Sequence, residues 1–90
     1  MALVPKTTGR FEKDVKLMKR RGKDTAKLRG IMQRLIDENP LEPRHRDHPL
    51  VGSYVGRREC HIEPNWLLVY KLGAGWILFE RTGTHSDLFE

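Results

Sequence analysis

The stretch RRECHIEPNWLLVYKLGAGWILFER, residues 57–81, decides the fold. Its first part, Arg57 to Glu63, alternates with period two, so Arg58, Cys60 and Ile62 share one face and Glu59, His61 and Glu63 the other. Pro64 and Asn65 then turn the chain. Trp66 to Lys71 is a continuous apolar strand, and Gly73, Ala74 and Gly75 supply a second turn that returns Trp76 to Arg81 as its hairpin neighbour. Three strands joined by tight turns form an antiparallel meander.

Upstream of it the period changes. From Arg10 to Arg21 the apolar residues Phe11, Val15 and Met18 recur at i, i+4 and i+7 with Leu17 beside them, which predicts a helix burying one stripe. Gly22 ends it. Asp24 offers an N-cap to a second helix, in which Leu28, Ile31, Met32, Leu35 and Ile36 keep the helical spacing until Asn39, since Pro40 follows. Ala2 to Thr8 reads as one short strand, with Pro5 tolerable at a sheet edge. Pro40 to Gly56 has neither period and reads as a surface loop with a short strand near Tyr54. After Arg81 the tail is polar until Leu88 and Phe89, which are expected to dock it on the body. Helices that precede a meander, rather than alternate with strands, imply a single α+β domain over residues 1–90, ordered β-α-α-β-β-β. The helical hairpin packs on one face of a twisted antiparallel sheet, and the opposite face is expected to be free.

Ninety residues support one modest core and leave no room for a separate regulatory domain. No apolar run approaches the roughly 20 residues of a membrane span, and Met1 to Arg10 lacks the apolar centre of a secretory signal, so a cytoplasmic protein without membrane contact is expected. Cys60 is the only cysteine, which excludes an internal disulfide and a cysteine-rich zinc site and reads as a small buried residue. The net charge of +5 is unevenly spread. Residues 1–34 hold eleven basic and three acidic side chains, a net +8, and the remainder is −3. That asymmetry suits a phosphate-rich partner; the plainer reading is a solvated helix face.

Four histidines stand at 45, 48, 61 and 85, and imidazole is the side chain best suited to exchange protons near neutral pH. None has the spacing of a helical zinc pair, so neither a metal nor another cofactor is expected. His45 reads as an ordinary surface histidine. His61, Arg81 and His85 converge at one end of the sheet if the outer strands of the meander flank the middle one. RNA cleavage requires what such a group offers: a base for the 2'-hydroxyl proton, an acid for the leaving 5'-oxygen and a fixed cation facing the phosphorane. Arg81 suits the last role because its fork matches two phosphate oxygens, although an arginine at a strand end is usually just solvated. Trp66 and Phe89 can stack on a splayed base, but core packing is the commoner use of such aromatics.

Three separated strings narrow these options. Asp47-His48-Pro49-Leu50, the run Arg58-Glu59-Cys60-His61-Ile62-Glu63-Pro64-Asn65-Trp66-Leu67-Leu68-Val69-Tyr70, and the run Phe79-Glu80-Arg81-Thr82-Gly83-Thr84-His85-Ser86-Asp87-Leu88-Phe89 resemble YafQ toxins of the RelE/ParE superfamily, as does the upstream Lys13-Asp14-Val15-Lys16-Leu17. The resemblance implies a ribosome-dependent endoribonuclease of a type II toxin–antitoxin system, cutting messenger RNA in the decoding site without a metal. It places His48, His61, Asn65, Trp66, Arg81, His85 and Phe89 at the active site. His85 would be the general acid, Arg81 would stabilise the transition state, and His48 and His61 would orient the nucleophile or act as base. Asn65, Trp66 and Phe89 would contact the nucleotide. It further implies a cognate antitoxin of the DinJ or RelB type, through which the pair binds operator DNA. One departure matters: the family motif reads His-x-Glu-Pro-Asp-Trp, and this chain carries Asn65, whose amide cannot accept a proton. Either His61 or His48 is the base, or cleavage is slower than in relatives, or the form is attenuated. Glu63 is a further candidate whose alternative is a structural ion pair. Two rival readings are a ParE-like toxin that inhibits a topoisomerase by binding and a small basic nucleic-acid-binding module; a pure inhibitor has no chemical reason to carry the histidines with Arg81.

Overall fold

The structure, a computed structural model, describes residues 2–89. Strand β1 (Val4–Thr7) leads into helix α1 (Gly9–Arg20), and helix α2 (Thr25–Ile36) follows after a tight turn. Both helices begin where the sequence offers an oxygen to the unpaired first-turn donors: the Phe11 N–H donates to the Thr8 hydroxyl and the Ala26 N–H to the Asp24 carboxylate, each at 2.9 Å. Gly22, at φ 81°, turns the chain so that the Lys23 N–H reaches the Met18 carbonyl. Glu38 closes α2 in the same left-handed way, at φ 58°, so the helix stops short of the expected Asn39.

The remaining elements are β2 (His48–Pro49), β3 (Arg58–Glu63), β4 (Trp66–Gly73), β5 (Trp76–Gly83) and helix α3 (His85–Phe89). The short strand expected near Tyr54 lies instead at β2. Gly52, at φ 66°, opens a helical turn through Tyr54, which removes that residue from the sheet. Sheet order is β1-β5-β4-β3-β2. Strands β2 to β5 are antiparallel neighbours, but β1 runs parallel to β5, a departure from the expected antiparallel sheet. A parallel pair needs a long connection, and here everything between β1 and β5 supplies it.

The helical stripe Phe11, Met18, Leu28, Ile31 and Leu35 packs on Cys60, Ile62, Trp66, Leu68, Tyr70, Ile77 and Phe79. Leu67 and Val69 face the other way, so β4 needs cover on both sides, which is why it reads as an unbroken apolar run. The expectation of a free outer face is therefore corrected. Leu88 from α3, with Leu50 and Phe89, closes over Leu67 and Val69. Among the described residues no helix is long and apolar enough to cross a membrane.

Candidate active site

Residues opposite one another on neighbouring strands project to the same face. His48 pairs with Glu59, Glu59 with Val69 and Val69 with Arg81, so three polar groups and one valine form a row across the outer face. The next row runs from His61 through Leu67 to Gly83, and His85 stands two residues beyond Gly83. Helix α3 lies over Leu67 and Val69. His61, Arg81 and His85 thus share one face of the sheet.

Arg81 reaches that face through an irregularity. Phe79 pairs with Tyr70 while Arg81 pairs with Val69, which leaves Glu80 as the extra residue of a bulge. Without it Arg81 would follow Phe79 into the core, and redirecting a side chain in this way is a common use of bulges beside active sites. Asp14 of α1 then fixes the guanidinium, accepting from its Nε at 2.7 Å and from a terminal nitrogen at 3.2 Å. Those bonds raise the Arg81 pKa further above an already high value, with burial opposing them, so the cation is permanent.

His48 and His61 meet at a carboxylate. Glu59 Oε2 lies 3.2 Å from His48 Nε2 and 3.7 Å from His61 Nε2, and the two rings are 6.5 Å apart. Asp47, which accepts from the Tyr70 hydroxyl and from Arg58 Nε, ties the segment before His48 to β3 and β4. His45 is no ordinary surface histidine: it is half-buried, and its Nδ1 lies 2.7 Å from the His61 carbonyl, fastening the loop to the end of β3. Burial, first of all, pushes the Cys60 thiol up, which keeps it protonated and inert.

On the α3 side, the Asn65 side-chain oxygen accepts from the His85 N–H at 3.2 Å. The His85 and Phe89 rings are 5.0 Å apart, and Phe89 meets Tyr54 edge to face at 5.1 Å. Arg21, which caps the end of α1, holds Asp87 at 2.7 Å, and the Thr84 N–H donates to the same carboxylate. Arg21 first, then Thr84, lowers the Asp87 pKa from 3.8 to about 2. A depressed carboxylate contributes stability that is complete above its unfolded value and lost as pH falls through its folded one. Anchorage of α3 should therefore weaken between about pH 4 and 2. Hydrogen exchange of the Leu88 and Phe89 amides would report it, and Arg21→Ala should move the loss toward pH 4.

A family profile described as "Bacterial toxin of type II toxin-antitoxin system, YafQ" matches residues 3–90. The mRNA interferase toxin YafQ of Escherichia coli strain K12 is 49% identical over 91% of this chain and 90% of its own length. The chain belongs to the YafQ toxin family. The crystal structure of YafQ from Escherichia coli BL21(DE3) superposes with a TM-score of 0.92 at 46% identity, covering 96% of this chain and 97% of that one. YafQ in the Escherichia coli DinJ-YafQ toxin-antitoxin complex superposes equally well, with a TM-score of 0.92 at 45% identity and complete coverage of both chains.

Against the positions that the YafQ resemblance implied, the structure gathers His48 and His61 at Glu59, gathers His85, Asn65 and Phe89 at α3, and places Arg81 on the same face, held by Asp14. Trp66 is not among them. It points to the helical side and is fully buried, and its indole N–H donates to Thr82 Oγ1 at 2.9 Å, so no ring face is open to a nucleotide. Glu63 bridges Lys23 and Lys27 at 3.0 and 2.9 Å, which is the structural ion pair. The groups missed by reading the sequence are Glu59, Asp14 and Tyr54. Glu59 had a signal, since it shares the His61 side of an alternating strand, and so did Asp14, which stands in the upstream string that resembles the family. Among the described residues, no group of three or more His, Cys, Asp or Glu side chains is placed to hold a metal ion.

Proposed function

We propose that this YafQ-family toxin is a ribosome-dependent endoribonuclease that cuts messenger RNA in the decoding site. The observation that carries the reading is the outer sheet face, on which His48, His61 and a fixed guanidinium stand in adjacent rows and over which α3 brings His85. His48 or His61 takes the 2'-hydroxyl proton, the 2'-oxygen attacks phosphorus, and His85 protonates the departing 5'-oxygen. Arg81 faces the charge that grows on the phosphorane, already oriented by Asp14 and with no reorganisation left to make. Phe89, braced by Tyr54, offers a ring to the nucleotide. Asn65 acts through the α3 backbone. Lys13, Lys16, Lys19 and Arg20 are exposed on α1 and supply the charge for ribosomal RNA phosphates.

The identity to a curated mRNA interferase supports the reaction class, and the DinJ-bound relative supports a DinJ- or RelB-like antitoxin as partner. Operator binding by the toxin–antitoxin pair, and a cytoplasmic site of action, belong to the same proposal. Induced expression with mapping of new messenger RNA 5' ends tests it. The wild-type chain should create ends within reading frames, and Arg81→Ala should reduce them by about 10²–10³-fold. Intact transcripts beside arrested supercoiling would replace this reading with that of a topoisomerase inhibitor.

A further inference from the structure

We infer that Glu59 is the shared counter-charge of the two histidines on β2 and β3, a positioning residue that orients His48 and His61 and stabilises the imidazolium formed when the 2'-hydroxyl is deprotonated. The inference rests on the nuclease reading above and supplies the anion that Asn65 cannot.

Glu59 is only 5% exposed, and its Oε1 has no hydrogen-bond partner in the protein. A buried carboxylate with an unsatisfied oxygen is costly, and its neighbour across the sheet, Val69, offers it nothing. A glutamine of the same shape would avoid the buried charge. What the carboxylate does have is two imidazoles: Oε2 is within ion-pair reach of His48 Nε2 at 3.2 Å and stands 3.7 Å from His61 Nε2. The second separation exceeds a hydrogen bond, so His61 Nε2 is open to a third group.

Ring orientation points the same way. His48 Nδ1 faces the Arg46 carbonyl and His61 Nδ1 faces the Pro64 carbonyl at 3.2 Å. A carbonyl only accepts, so both Nδ1 atoms donate; His48 Nε2, 3.2 Å from the carboxylate, must then donate to Glu59 as well, while the neutral His61 ring keeps its lone pair on Nε2. When His61 takes the 2'-hydroxyl proton at Nε2, the O2'–P bond forms and the P–O5' bond breaks, with the 5'-oxygen receiving its proton from His85. The new positive charge then sits next to a carboxylate already in place. Groups that orient a catalytic imidazole from behind typically change activity 10–100-fold when altered.

Glu59→Gln and Glu59→Asp in the full chain test this by single-turnover cleavage on programmed ribosomes, by Tm, and by long-range nitrogen NMR of the imidazoles in the wild type. Glu59→Gln should cleave about 10–100-fold more slowly with Tm unchanged or raised, and Glu59→Asp, which keeps the charge, should recover part of the rate. Hydrogen on Nδ1 of both rings is the expected NMR signature. Wild-type cleavage by Glu59→Gln would overturn the inference, and so would rings with bare Nδ1 atoms, a result that stands even if the glutamine variant does not fold. Loss of cleavage in the wild-type chain would instead sink the nuclease reading, while the NMR result still decides the pairing of Glu59 with its histidines.

Discussion

Replacing His85 by alanine is expected to slow messenger RNA cleavage by about 10²–10⁴-fold while leaving the fold intact. The side chain is exposed, and its structural contact is with the Phe89 ring at 5.0 Å. The backbone N–H that receives the Asn65 cap is present in alanine, and alanine favours a helix, so α3 keeps its place. A Tm within a few degrees of wild type should therefore accompany the loss, because a surface change of this kind is worth about 0.5 kcal/mol or less. Single-turnover cleavage of a defined message on programmed ribosomes would measure it. An alanine variant that cuts at the wild-type rate would move the general acid to another residue. His85→Gln extends the comparison, since it restores bulk and hydrogen bonding but no group acidic enough to protonate the leaving oxygen near neutral pH, and it should be as slow as alanine.

Much of the scaffold that presents His85 was legible in the residues. The alternation of 57–63 and the glycines at 73 and 75 define the meander, and Gly22 and Asp24 set helix limits to within a residue, because those signals act on the chain next to them. The pairing of β1 with β5 was not legible. It joins Val4 to Trp76, and no local pattern encodes a contact of that span. The bulge at Glu80 was hidden for a related reason: strand parity puts Phe79 and Arg81 on the same side, and only the register against β4 separates them. A catalytic arginine could be nominated from the family strings, but its arrival on the site face depends on a backbone irregularity that the letters do not show. Glu59 escaped because a charged residue on a half-exposed face normally reads as solvated, and its burial comes from β2 and His61 closing over it.

Trp66 tests the opposite side of the same sheet. Trp66→Ala should cost about 3–5 kcal/mol, since it empties the largest fully buried side-chain position in the core. In a domain of this size each kcal/mol shifts Tm by roughly 4–8 °C, so thermal unfolding should show a fall of well over 10 °C. Trp66→Phe should cost far less, about 1–2 kcal/mol, for lost volume and the missing donor to Thr82, whose hydroxyl keeps its own bond to the Leu67 carbonyl at 2.7 Å. The family strings place Trp66 with the nucleotide pocket, and the two roles give inverse results. A stacking residue would lower cleavage at constant Tm when changed to alanine. A core residue lowers Tm, while cleavage per folded molecule, measured well below the transition, stays near wild type for Trp66→Phe. The burial of Trp66 under Lys23 and the helical hairpin, away from the face that carries His61 and His85, requires the second pattern. A loss of rate in Trp66→Phe without loss of stability would mean that the ring reaches substrate after all, and that β4 rearranges on the ribosome.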